Sequence, residues 1–180
     1  MTKAVNAAYD QDSFQAYNDG TEAGATSKAA ANTNWTDSAG RILQCRFLIQ
    51  QTVSNADAQL TKAFNWQFNK NSTGWTAVAA QGATPAAVRF AAGGLTNAAA
   101  TTQRLGAGTF IAGEQYESDV ADTITFTAQA LTETNLVAAL EIYAPQVSHN
   151  DTITLRIVED NNTVLGAYTN TPTVTVSAVI

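Results

Sequence analysis

The chain has one cysteine and one histidine among its 180 residues. The single thiol, Cys45, excludes an intramolecular disulfide, a cysteine-based metal site and an iron–sulfur cluster. Because Leu43, Cys45, Phe47 and Ile49 alternate with mostly polar residues, the pattern predicts a thiol buried in a core. The histidine, His149, lies in a turn sequence and offers no evident base to activate that thiol.

Charged residues are also scarce, at 13% of the chain. Lys and Arg number 9 against 15 Asp and Glu, which gives a formal net charge of -6. No basic field is therefore available to hold a nucleic-acid backbone or an anionic membrane surface. The space that charges usually occupy is filled by Ala, Thr, Asn and Gly, a composition typical of sheets and turns.

Residues 1–20 contain no apolar run of the length that a signal peptide or a membrane span requires. We therefore expect synthesis in the cytoplasm, followed by release or assembly without secretion. The same residues lack sustained alternation, which predicts an N-terminal arm or an irregular first strand. The small polar residues of 21–40 predict one or two edge strands.

Alternation of apolar and polar residues becomes strong from residue 41 onward. Phe64, Trp66 and Phe68 share one face, and the turn at 70–74 leads into WTAVAA, so residues 64–80 predict a hairpin. A short helix competes with a strand in LVAALEIYA, where the nearby Pro145 favours the strand. Further alternating segments are AVRFAA, ITFTAQA, DTITLRIVE, TVLGAY and TVTVSAV.

This spacing of short strands and turns predicts an all-β protein, an antiparallel β-sandwich of immunoglobulin-like or jelly-roll kind. We assign residues 21–180 to a single sandwich domain, with residues 1–20 as the arm or irregular strand.

The stretch RLGAGTFIAGE, residues 104–114, brings three glycines together. A phosphate-binding loop would need a following helix N-terminus and a Lys-Ser/Thr pair, and both are missing here. The glycines instead predict bends and close backbone packing. They lie in a connection from Gly93 to about Asp122, in which Thr109, Phe110 and Ile111 are apolar anchors. Packing on the chain's own sandwich is favoured over packing on a neighbour.

Several of these segments together resemble a group of tailed-phage proteins found as virion components. The resemblance covers about residues 40–180, and TTQRLGAGTFIAGE and NDTITLRI are its most specific parts. It implies a structural β-sandwich module of the phage particle, with no catalytic residues to carry over. Residues 1–40 match less clearly, which leaves an attachment arm as one interpretation. The remaining matching segments are FLIQQT, FNWQFNKNSTGWTAV, ALEIYAPQVSHNDTITLRIVE and TPTVTV.

The acidic residues offer a weak case for catalysis, because their local sequences are turns and solvent-facing edges. Ser148, His149 and Asp151 are too near one another in a turn to face each other as a triad, and turn formation is favoured. The acids considered for a glycosidase pair are Glu114, Glu117, Asp119, Asp122, Glu133 and Glu141.

The sequence EDNN, residues 159–162, gathers oxygen ligands of the kind that Ca²⁺ takes. The same residues suit an ordinary hairpin turn between two strands, and this interpretation is favoured. We therefore predict a protein that is not an enzyme, with no catalytic residue, no metal and no cofactor.

Aromatic side chains provide two kinds of candidate contact. Trp35, Trp75 and Tyr116 are candidate stacking platforms for a glycan, although core packing is favoured for the aromatic residues as a group. In the predicted arm and the long connection, the candidate interface residues are Tyr9, Phe14, Tyr17, Thr109, Phe110 and Ile111.

We expect a structural protein of the phage virion, most simply one that decorates or reinforces the capsid through contacts with the major capsid protein, other virion proteins or further copies of itself. The alternative is a receptor- or glycan-binding module of a spike, fibre or tail. Both place the protein in the virion, without direct nucleic-acid or membrane contact.

Overall fold

The computed structural model describes residues 8–52, 61–118, 123–126 and 131–179. Within these residues nearly all of the regular secondary structure is β-strand, and the two main sheets pack together as a sandwich. The predicted all-β sandwich is therefore confirmed. Among the described residues, no helix has the length and hydropathy that crossing a membrane would require.

The larger sheet has the strand order β13-β1-β3-β11-β7, with β8 and β9 paired to β11 beside β7. The smaller sheet has the order β2-β14-β12-β5-β6, and β4 pairs with β10 separately. The strands are β1 (Tyr9–Asn18), β2 (Trp35–Ala39), β3 (Ile42–Gln51), β4 (Thr61–Lys62), β5 (Phe64–Lys70), β6 (Trp75–Ala77), β7 (Val88–Phe90), β8 (Thr109–Ile111), β9 (Gln115–Tyr116), β10 (Ile124–Thr125), β11 (Thr132–Ile142), β12 (Thr152–Glu159), β13 (Ala167–Tyr168) and β14 (Thr173–Val179).

The central pairs of both sheets are antiparallel, as predicted. Among the described strands, four other pairs are parallel: β1 with β13, β2 with β14, and β11 with both β8 and β9. Parallel strands need a long crossover between them, and a long stretch of chain separates the partners in each of these pairs. The sequence pattern shows the strands but not which distant strand each one joins.

The first strand is part of the sandwich. β1 pairs with β3 over its length and is interrupted by one bulge between Gln11 and Ser13. Of the two interpretations of residues 1–20, an arm or an irregular first strand, the strand fits residues 9–18 and the arm does not, because these residues hydrogen-bond inside the larger sheet. Residues 1–7 lie outside the described part. The buried Gln11 side chain also joins the two sheets, since it accepts from Ile157 N–H at 2.9 Å and donates to the Asn170 carbonyl at 2.8 Å.

The core lies between the sheets, where alternation predicted it. The ring centroids of Phe47 on β3 and Trp66 on β5 are 5.0 Å apart. Cys45 is fully buried nearby, and burial raises the pKa of its thiol, which confirms a packing role. The hairpin formed by β5 and β6 is also confirmed, with Gly74 in its turn at φ +127. LVAALEIYA forms the greater part of β11, the strand that was favoured over a helix.

Candidate functional site

The glycine stretch packs directly against β11. Gly108 N–H donates to the Glu133 carboxylate at 2.8 Å, and Gly113 N–H donates to Thr101 Oγ1 at 2.9 Å. A Cβ at Gly113 would collide with the main-chain carbonyl of Asn135. The stretch therefore serves close packing on the chain's own sandwich, as the sequence analysis favoured.

Asn135 fixes the start of the same stretch. Its Oδ1 accepts from the main-chain N–H groups of Arg104 at 3.1 Å and Leu105 at 3.0 Å. Its Nδ2 donates to the Leu105 carbonyl at 3.1 Å. Asn135 is completely buried, so these bonds form where few competing water molecules can reach them.

A buried ion pair joins the larger sheet to segment 20–25, and its carboxylate also binds the long connection. Arg46 on β3 is 1% exposed, and its Nη2 donates to Glu22 Oε1 at 2.5 Å. The same oxygen accepts from Thr102 N–H at 3.0 Å. Burial by itself would raise the pKa of Glu22, but hydrogen bonds from Thr102 and Arg46 and the charge of Arg46 outweigh it and hold that pKa below its ordinary value.

Arg104 completes this arrangement from the connection itself. Its guanidinium donates to the carbonyls of Glu22 at 2.7 Å and Ala25 at 2.9 Å, and it lies 4.4 Å from the ring centroid of Tyr17. Segments 20–25 and 101–113 are thereby held on the outer face of the larger sheet. We call Glu22, Arg46, Thr102, Arg104, Glu133 and Asn135 the polar layer.

The polar layer is not evident from the sequence pattern. The prediction that the candidate acids lie on solvent-facing edges is wrong for Glu114 and Glu133, which are buried with only 3% and 4% of each residue exposed. Glu117 accepts from Gly93 N–H at 2.7 Å, and Glu141 pairs with Arg89 at 2.9 Å. The other two candidate acids, Asp119 and Asp122, lie outside the described residues.

The Ser148–Asp151 segment forms a turn, as predicted. Ser148 N–H donates to Asp151 Oδ2 at 2.8 Å, and the His149 ring nitrogen Nδ1 lies 2.6 Å from the Ser177 carbonyl oxygen. Hydrogen bonds from Asn71, Ser148 N–H and Lys70 lower the pKa of Asp151 to about 2. The carboxylate is thus a structural acceptor at the start of β12.

We expect the Asp151 carboxylate to make the free energy of unfolding depend on pH in the acid range. Because its pKa is lowered from 3.8 to about 2 by folding, the stabilisation is fully present above pH 3.8 and is lost as the pH falls through the folded value. Urea unfolding of the native chain and of Asp151→Asn should therefore show a smaller loss of stability in the variant over this range. If the free energy of unfolding fell equally with pH in the two proteins, Asp151 would not be the group responsible.

The EDNN segment forms the turn after β12. Glu159 pairs with Lys62 at 2.8 Å, Asn161 Oδ1 accepts from Thr163 N–H at 3.0 Å, and Asn162 Oδ1 accepts from Gln67 at 3.2 Å. These contacts fit the hairpin interpretation. No three His, Cys, Asp or Glu side chains in the described ranges are grouped closely enough to hold a metal ion.

The candidate interface residues separate into two groups. Tyr9 and Phe14 are buried in the core between the sheets, and Tyr17 is buried beside Arg104, so the interface prediction does not hold for these three. β8, residues 109–111, is the strand formed by the other three candidates. Thr109 is exposed, and Phe110 and Ile111 are half-buried.

The candidate glycan-stacking residues also separate. Trp35 and Tyr116 are buried, in contact with Phe14 and Trp66 respectively, so neither ring can stack on an external ligand. Trp75 on β6 is 37% exposed. It is the one member of the three that the structure leaves at the surface.

Trp75 belongs to an ordered surface group that the sequence analysis missed. The guanidinium carbon of Arg156 lies 4.0 Å from the Trp75 ring centroid and 5.6 Å from that of Tyr168. Gln67 Oε1 accepts from both Nε and Nη2 of Arg156, at 2.9 and 2.8 Å. The pairing of Gln67 with Arg156 across β5 and β12 places these side chains on one face, which the spacing of each strand alone does not reveal.

The chain was compared with family models, with curated proteins and with solved structures. None of them matches. The geometry of the described residues and the resemblance of sequence segments are therefore the basis for proposing a function.

Proposed function

We propose that this protein is a structural component of a tailed-phage virion and decorates the capsid through contacts between subunits. The observation that carries the proposal is the edge strand β8, which the polar layer helps to hold in place. The segment resemblance over about residues 40–180 supports the virion context. The net charge of -6 favours protein partners over the packaged nucleic acid.

β8 is suited to contact with another chain. One of its edges pairs with β11, from Thr132 to Thr134, and within the described ranges no strand pairs with its other edge. Unpaired main-chain groups on a strand edge are a template for a strand from a partner. Phe110 and Ile111 add partly exposed apolar surface that such a partner would cover.

A groove beside β8 enlarges this surface. Its volume is about 390 Å³, and its lining includes Gly108, Thr109 and Leu131. Leu131 is 63% exposed and adds apolar surface to the groove. A partner that pairs with β8 would also reach this groove.

Repetition would make such a small contact effective. One three-residue edge supplies few hydrogen bonds, but many copies bound to a particle act together, because each attached copy raises the effective concentration of the others. We accordingly expect a homo-oligomer or an array on major capsid protein, located in the virion.

The test compares charge substitutions on two exposed threonines. We expect Thr109→Lys to weaken association at least about tenfold, because a lysine on an edge strand opposes strand addition. Thr36→Lys, on the edge strand β2, should leave association unchanged. Mass photometry reports self-association, and co-sedimentation with phage particles lacking the protein reports attachment.

The proposal fails if the native chain stays monomeric and does not bind particles. It also fails if Thr109→Lys and Thr36→Lys associate equally well. A reconstruction of the native particle by electron cryomicroscopy would then locate the chain directly. Copies at a fibre tip instead of on the capsid lattice would favour the second candidate function, binding of a host receptor or glycan, for which Trp75 is the supporting observation.

A further inference from the structure

Trp75 combines exposure with a fixed orientation. Its ring is 37% exposed even though Arg156 lies over it at 4.0 Å. Trp75 pairs with Asn69 in the ladder between β6 and β5, so its main chain is held by the smaller sheet. An exposed indole held on a sheet suits stacking against the C–H face of a sugar ring, since the face of an aromatic ring carries partial negative charge that attracts C–H groups.

Arg156 supplies an oriented positive charge beside that ring. Gln67 holds its guanidinium by two hydrogen bonds, and Gln67 is in turn held by Asn162. No carboxylate in the described residues pairs with Arg156, whereas Arg46 and Arg89 both have such a partner. A guanidinium held in place by neutral groups keeps its charge available for a carboxylate of a ligand.

The face around this pair is polar and bears few charges. Across the ladder of β5 and β12, Asn69 lies opposite Thr154 and Gln67 lies opposite Arg156. Thr154 in turn contacts the hydroxyl of Thr173 on β14 at 3.1 Å. Amides and hydroxyls in an open surface can exchange hydrogen bonds with the hydroxyls of a saccharide, whereas an enclosed pocket would be expected for a small apolar ligand.

We infer that Trp75 and Arg156 form a binding site for an acidic saccharide, with a sugar ring on the indole and a sugar carboxylate on the guanidinium. A polyanion such as single-stranded nucleic acid fits less well, because the protein carries a net charge of -6 and the site contains one ordered cation. The inference goes beyond the proposed capsid role, since the site lies on the smaller sheet and β8 belongs to the larger one.

The first experiment is a glycan array that carries uronic-acid and sialic-acid oligosaccharides beside neutral oligosaccharides, with an oligothymidylate as a nucleic-acid probe. We expect the native chain to retain acidic saccharides in preference to both comparison classes. Retention of neutral saccharides or of the oligonucleotide at equal strength would overturn the inference, and so would a lack of binding to every acidic saccharide.

Variants then test the two named side chains against a retained acidic oligosaccharide by isothermal titration calorimetry. Trp75→Ala and Arg156→Gln should each weaken binding at least about tenfold, through loss of stacking and of the paired guanidinium. Arg41→Gln removes the same charge from an exposed turn and should change affinity less than about twofold.

Trp75→Tyr keeps an aromatic ring and should retain most of the affinity, which separates stacking from a general requirement for folding. Equal losses in Arg41→Gln and Arg156→Gln would show that net charge alone governs binding and would overturn the site. Particle attachment through Thr109 should be unaffected by Trp75→Ala, so failure of this inference and failure of the capsid proposal are distinguishable.

Discussion

Glu22→Ala is expected to lower the free energy of unfolding by about 3–5 kcal/mol, as is typical when one partner of a buried ion pair is removed. The substitution leaves the guanidinium of Arg46, 1% exposed, without its carboxylate. It also removes the acceptor of Thr102 N–H, which lies in the connection over the sheet. Urea unfolding at neutral pH, followed by far-ultraviolet circular dichroism, measures the loss.

A second glutamate–arginine pair provides the matched control. Glu141 and Arg89 are 2.9 Å apart on neighbouring strands, but their side chains are 21% and 15% exposed. Glu141→Ala should therefore lower the free energy of unfolding by less than about 1 kcal/mol, because most ion pairs near the surface contribute no more than that. If the two alanine variants lost equal stability, the burial of the Arg46 pair would not be what makes it important.

Gly113→Ala is expected to destabilise the protein by roughly 1–3 kcal/mol, the usual cost of forcing an extra methyl group into a packed site. The new Cβ would meet the main-chain carbonyl of Asn135, which cannot rotate away as a side chain could. Relief requires residues 101–113 to move from β11, which breaks the bond from Gly113 N–H to Thr101. Amide hydrogen exchange should show reduced protection in β8 as well as a lower global stability.

Gly24→Ala is the comparison for this substitution. Gly24 is exposed, and the nearest atom to an added Cβ is the Oγ1 of Thr21, which belongs to a rotatable side chain. We expect a change within about 0.5 kcal/mol, as for ordinary surface positions. Normal exchange protection of β8 in Gly113→Ala would indicate that the connection tolerates the methyl group and that the close approach is not required.

The strands of the sandwich were predictable where one face of a strand is apolar. In β5 and β12 the apolar side chains alternate cleanly, and the sequence pattern located both strands. β1 was harder to predict from the sequence. The bulge after Gln11 changes which residues face the core, from Tyr9 and Gln11 before it to Phe14 and Ala16 after it. One extra residue in a strand breaks the period of two on which such predictions depend.

The polar layer could not be predicted from alternation alone. Arg46 and Gln44 occupy the polar face of β3, and in an uncovered sandwich that face would meet water. Residues 19–25 and the connection cover it instead, so both side chains are buried: Gln44 donates to the Gly20 carbonyl, and Arg46 donates to the Thr102 carbonyl. The length of the connection signalled that it must dock somewhere, but the partners of Arg46 lie far away in sequence and no local pattern identifies them.

The two strands nearest the start of the described chain are completed by two of the last. β1 pairs with β13, and β2 pairs with β14, so the larger sheet lacks a strand until residue 168 is available, and the smaller sheet lacks one until residue 179. Contacts of such high sequence separation slow folding, because the chain must close long loops before it gains the pairing energy. During biosynthesis the early strands therefore keep unpaired edges until residues 167–179 have been translated.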